Sequence, residues 1–406
     1  MAQKFSRLIP TTLMLILVAC STKGIVTPTA PLVSSSTPVQ PTATSTPVAL
    51  TERCVKLQPA LPEDGIPPWT LVVRTSEGIA LHNFRQQAQR IITASTFEGI
   101  GTSPDGKWLS YIIFVTPNDE EIIVESPDGE KKVQLSFERE WSVYGNPWLG
   151  NEQLSFLLWN GSYDLRTVIL NPFTGEQQIL LSDYPNSNHN YLYGPSGSPP
   201  LFFGNSNVAY DPSLRLVVYP QATNDSLYDV LWDRQTKQEI AKVLIGVYLP
   251  PPLWLSDSRA FVVAAKPERN VPREWFIVNR DGKVRQLTHY GDRYPTFKIG
   301  MYASLSPDGH YLAFGLSREN DPALAVPMDL IILDLTTLKT FNTCITFDNS
   351  DPIWSPDSQY LVVQHPVANQ KWPSIILLNV EAGWAASIFP TDNEYRYPEG
   401  WLDSGG

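Results

Sequence analysis

A tight turn followed by an alternating apolar run occurs six times at nearly constant spacing, and this recurrence is what most limits the folds open to the chain. It is carried by "TSPDGKWLSYI" from residue 102, "WLGNEQLSFLL" from 148, "YDPSLRLVVY" from 210, "WLSDSRAFVVA" from 254, "LSPDGHYLAF" from 305 and "WSPDSQYLVV" from 354. Aligned on the turn, the markers are Asp105, Asn151, Asp211, Asp257, Asp308 and Asp357, a mean period of about 50 residues. A repeat of that length with several strands per unit predicts propeller blades.

Each unit supplies the strands a blade needs. Roughly two dozen residues after each first turn lies a second strand pair, such as "EEIIVESPDGEKKVQL" or "EWFIVNRDGKVRQL". The apolar runs are short, rich in Val, Ile, Leu and aromatics, and interrupted by Gly, Asp, Asn or Thr, which suits strands and not helices. At the C-terminus "YPEGWLDSGG" repeats the innermost strand once more, and "WTLVVRT", "GIALHNF" and "QRIITAS" near the front read as strands b, c and d lacking an a. The expectation is an all-β, seven-bladed propeller with one blade split between the termini; six blades with loose ends is the alternative. Splitting a blade closes the ring and leaves only short edges.

The turn has a local cause. In Ser-Pro-Asp-Gly, proline sets φ for the first bend, aspartate accepts a backbone hydrogen bond, and glycine adopts positive φ. Trp148, Trp254, Trp354 and Trp401 precede turns, where flat rings fill the gap between blades. The turn acids fall one to a blade, so they read as structural, with no convergent metal cluster. The W-S-P-D-G pattern with its following strand resembles the TolB-type β-propeller repeat, a relative of the WD-repeat propellers, from about residue 69 to 406. It is strongest at Ser103 to Gly106, Ser306 to Gly309 and Ser355 to Asp357. The resemblance implies a periplasmic or extracellular habit and, commonly, protein binding; it carries over no named partner.

The first fifty residues give the expected address. Lys4 and Arg7 precede the apolar run "LIPTTLMLILVA", which is too short to span a bilayer as a mature helix. It ends in Leu17, Val18, Ala19 and Cys20, which resembles the lipobox of bacterial lipoproteins. The resemblance implies removal of residues 1–19 and lipidation of Cys20; a plain secretory signal is the alternative. Residues 20–52 are Ser, Thr and Pro-rich and read as a tether, and residues 53–406 as the propeller. The expected state is a membrane-anchored lipoprotein on the cell surface or periplasmic side. Beyond residue 50 there are 27 basic and 41 acidic residues, which argues against nucleic acid as a partner.

Little points to catalysis. "GPSGS" at 194–198 is not a nucleophile elbow, and His82, His189, His289, His310 and His365 are scattered without zinc spacing. No cofactor or metal is expected, and no catalytic residue is assigned, although a funnel could still gather distant acids. Candidate contacts lie in the long excursion 183–207 between the second and third repeats, with Tyr184, His189, Tyr191 and Tyr193, and on neighbouring loops with Tyr144, Tyr290, Arg293, Tyr395 and Arg396. The leading expectation is a protein- or peptide-binding adaptor. A carbohydrate-binding or carbohydrate-active propeller, or a peptidase propeller without its hydrolase, are the alternatives. With Cys20 lipidated, Cys54 and Cys344 remain as a possible disulfide or as two free thiols.

Overall fold

The computed structural model describes residues 50–92, 97–116, 119–136, 142–144, 148–159, 165–180, 208–223, 226–245, 250–268, 270–292, 294, 297–317, 327–348, 350–389 and 394–404. The signal segment, Cys20, the excursion 183–207 and Arg293 therefore lie outside the described residues. Seven antiparallel sheets form the blades of a seven-bladed β-propeller. Blade 1 is the split one: its innermost strand, Arg396–Asp403, pairs with Trp69–Thr75, followed outward by Ile79–Asn83 and Ala88–Ile92. Six complete repeats follow as blades 2 to 7, each ordered a to d from the channel outward.

Each sheet is sandwiched between two neighbours, so successive side chains of one strand enter different cores. In blade 5, Val262 and Ala264 of strand b (Ala260–Ala265) pack toward blade 6 with Leu312 and Phe314, while Phe261 and Val263 pack toward blade 4 with Val218 and Leu231. That is why central strands read as near-continuous apolar runs: both faces are buried. The same logic joins blades 6 and 7 through Leu361 and Ile376, and blades 7 and 1 through Trp401 and Leu377.

The first-turn geometry repeats. Ser103 Oγ donates to Asp105 Oδ1 (2.7 Å) and accepts the Trp108 N–H (3.0 Å), while the Gly106 N–H closes the turn on the Ser103 carbonyl at φ +74°. Ser306 and Ser355 make the same contacts. At the third repeat the alignment given above shifts by two. Asp211 stands where the others have serine, accepting the Leu216 N–H (2.6 Å), and Ser213 stands where they have aspartate, donating to Asp211. The exchange preserves the hydrogen bond because hydroxyl and carboxylate trade places as donor and acceptor.

A second feature lies outside the repeat. Leu50 is buried in the core between blades 5 and 6, and Thr51–Glu52 runs parallel to strand d of blade 6 (Thr340–Phe347) as a fifth strand. Lys56–Gln58 does the same on strand d of blade 7 (Trp384–Ser387). Residues 50–52, inside the segment read as tether, thus pack on the ring, and the strands at 51–52 and 56–58 complete two outer edges. Cys54 and Cys344 are joined between the two added strands, with Cα atoms 4.8 Å apart. Cys344 belongs to strand d of blade 6.

Candidate functional site

The innermost strands line the channel, with the d-to-a and b-to-c connections at one mouth and the tight turns at the other. At the first mouth, blades 6, 7 and 1 bring together Tyr302, Asp348, Asp351, Tyr397, Glu399 and Arg74. Local irregularities place them. Strand a of blade 6 (Lys298–Leu305) has a register shift between Ile299 and Ala303, next to Tyr302, and the last strand bulges so that Glu399 lies between residues opposite Val73 and Val72. Bulges of this kind redirect a side chain out of the ladder.

Arg74 pairs with Glu399 at 2.5 Å and lies 5.9 Å from the centroid of the Tyr397 ring. Burial pushes the Glu399 carboxyl up to about 7; Arg74 opposes the rise and the charge on Asp351 adds to it. Asp351 stands in the connection between blades 6 and 7. The residue is exposed, yet the atoms packed around its carboxyl desolvate it and push it up to about 6, opposed by a hydrogen bond from the Ala303 backbone. Tyr302 and Tyr397 are also shifted upward, first by desolvation and then by the neighbouring acids, so both stay protonated donors. Among the described residues, this cluster sets three carboxyl groups and two phenols around the Arg74 guanidinium, and the Arg396–Glu394 pair lies at the same mouth.

The residues selected from the sequence fare unequally. Tyr290 is a correction: it is 3% exposed, packed edge-on against Phe297 at 5.5 Å and near Phe314, so it is core and not a contact surface. The cause is Glu274, buried nearby, which accepts hydrogen bonds from Thr288 Oγ1 (2.6 Å) and the Gly291 N–H (2.7 Å) and folds the connection inward. Tyr395 meets Trp372 at 4.9 Å, and Arg396 lies over Phe389 at 4.4 Å while pairing with Glu394 at 2.6 Å; both are half-buried at the same mouth. Tyr144 ends a short inner strand opposite Leu157. Tyr184, His189, Tyr191, Tyr193 and Arg293 are outside the described residues.

Glu399, Asp351 and Arg74 were not singled out from the sequence. A charged residue inside an otherwise apolar innermost strand, as in "YPEGWL", is the available signal. His310 contacts Asp308 within its own turn at 3.3 Å, and His365 Nδ1 lies 2.6 Å from the Thr346 carbonyl. Among the described residues, no three His, Cys, Asp or Glu side chains gather to hold a metal ion. At the opposite mouth a cleft of about 410 Å³ lies between blades 1 and 2, walled by Asn83, Gln86, Gln89, Arg90 and Lys107. Arg90 is held there by Glu125 (3.1 Å) and the Pro127 carbonyl (2.6 Å).

No protein-family model matches the chain, and no curated protein matches its sequence. Solved structures with the same fold include TolB from Acinetobacter baumannii, at 14% identity and TM-score 0.43, with 84% of each chain covered. An oligogalacturonate lyase in complex with manganese aligns at 12% identity and TM-score 0.50, over 80% of this chain and 85% of that one. An acylaminoacyl peptidase aligns at 14% identity and TM-score 0.48, over 77% of this chain and 47% of the peptidase. At these identities the likeness concerns the fold alone.

Proposed function

We propose that the chain is a lipid-anchored, extracytoplasmic adaptor that binds a protein or peptide at the channel mouth formed by blades 6, 7 and 1. The observation that carries the reading is the convergence of Asp348, Asp351, Glu399, Tyr302 and Tyr397 around Arg74. Carboxylates and electron-rich ring faces together suit a lysine or arginine side chain, and the desolvated wall strengthens each contact. The anchor rests on Cys20 and the run before it, and the location outside the cytoplasm rests on the same segment together with the Cys54–Cys344 pair.

A second reading has its own observation. The cleft between blades 1 and 2 is lined by amides and hydroxyls, among them Asn83, Gln86, Gln89 and Ser404, which suit the hydroxyls of a saccharide. Peptide and glycan arrays probed with the purified protein separate the two. The adaptor reading expects retention on Lys- or Arg-bearing peptides that is lost in the Asp351→Asn, Glu399→Gln double variant. Selective glycan binding with no peptide retention rejects it.

A further inference from the structure

The N-terminal strap runs in sequence along the edges of two blades and then into the seam of the ring. Its first four residues lie on blade 6, where the Arg53 N–H donates to the Asn342 carbonyl (3.0 Å) and the Arg53 guanidinium covers the Phe341 ring at 5.3 Å. After Cys54 the Val55 N–H donates to the Thr343 carbonyl (3.0 Å), and the chain crosses to blade 7 through the Lys56 N–H and the Gly383 carbonyl (2.9 Å). A short 3-10 turn, Glu63–Gly65, then packs on Trp384, and Trp69 begins the strand that closes the ring against Arg396–Asp403. The disulfide thus stands ahead of the strand pairings the strap makes with blades 7 and 1, although the Arg53 guanidinium already reaches the Glu381 carbonyl of blade 7 (3.3 Å).

Its partner is placed to meet it. Strand d of blade 6 shifts register between the pairs Asp329–Thr346 and Ile331–Asn342, and Cys344 occupies that bulge at φ +61°, its N–H bonded to Asn342 Oδ1 (2.8 Å). The bulge lifts Cys344 out of an otherwise buried strand into solvent, beside exposed Cys54.

We propose that the bond diverts tension: a pull on the chain ahead of residue 50 passes from Cys54 to Cys344 into blade 6 and never reaches the strands that close the ring. Without it, the same pull detaches the strap a few hydrogen bonds at a time, first from blade 6, then from blade 7, and finally at Trp69 from the closing pair. A covalent link four residues into the strap stops that progression. The proposal rests on the anchored reading only for the source of the pull, and it is independent of what the mouth binds.

Single-molecule stretching tests it, with bio-orthogonal handles at Ser45 and at Lys237 in an exposed turn of blade 4. Three states are compared: the oxidised protein, the same protein after a dithiol reductant has passed two electrons and two protons to the bond and become a disulfide itself, and C54S/C344S. In the two bond-free states an early low-force step of about 60 Å is expected, the extended length of the segment from residue 51 to 68. In the oxidised protein that step is absent. The same step at the same force in oxidised and reduced protein overturns the proposal. Reduction after folding keeps the comparison valid if C54S/C344S does not fold. Loss of peptide binding leaves these traces unchanged, so the two readings fail separately.

Discussion

At the scale of single residues, the propeller tolerates exchange of partners but is selective about buried charge. The Asp211 and Ser213 swap shows the tolerance, and Asp211 takes on a further task by receiving Arg280 of the next blade at 3.0 Å. Asp229, 3% exposed on strand c of blade 4 (Leu227–Asp233), shows the other side: burial pushes its carboxyl up to about 7. Its folded value exceeds the unfolded one, so the fold is most favoured while both states are protonated. Stability then falls as pH rises from about 4 through about 7. Replacing it by a group that does not titrate removes that slope: in urea titrations Asp229→Asn should gain on the parent between pH 4 and 8, by up to about 4 kcal/mol. Equal pH profiles would show that Asp229 is not the source. Glu399 obeys the same sign, but its consequence is for binding. A cation in the mouth favours the carboxylate, so affinity for a Lys-bearing peptide should rise as pH passes from 6 to 8, with proton release seen by calorimetry in buffers of different ionisation enthalpy. A flat profile would separate binding from this group. The turn chemistry was legible in the sequence because it is local. The identity of the mouth residues was not, because it depends on which blades become neighbours at closure.

At the scale of elements, strand and turn were readable wherever a pattern of two or a fixed-φ residue set them, and the bulges were not. In "KIGMYASL" and "RYPEGWLD" the interior Gly300, Pro398 and Gly400 are compatible with a bulge, but they do not say which side chain the register shift turns toward the mouth. The innermost strands are also stitched across blades by indoles: the N–H groups of Trp254, Trp354 and Trp401 donate to the carbonyls of Ala209 (3.2 Å), Ser304 (3.3 Å) and Ile353 (3.2 Å). Gly400 allows the tightest approach. A methyl group there would meet the branched Thr102 side chain of blade 2, its Cβ included, so the two strands must shift apart or Thr102 must repack. Gly400→Ala should therefore cost about 1–3 kcal/mol in denaturant unfolding, and Gly400→Ala with Thr102→Ser should recover part of it. An unchanged midpoint for the single variant would mean that the blades spread there without cost.

At the scale of the whole molecule, closure explains both what is stable and what is available for binding. The terminal strand seals blade 1, the strap covers the edges of blades 6 and 7, and the three blades so tied together are the ones that form the acidic mouth. Period and end-matching made the ring and its split blade legible. The strap escaped notice because "TERCVKLQ" carries the composition of a linker, and only the edges waiting for it make those residues strands. The most direct measurement of the account is photo-cross-linking in intact cells from a probe at Tyr397, with one at Lys107 beside the opposite cleft as the comparison. Protein adducts are expected from position 397, and they should disappear on Glu399→Gln. Adducts from position 107 alone, or none from 397, would contradict it.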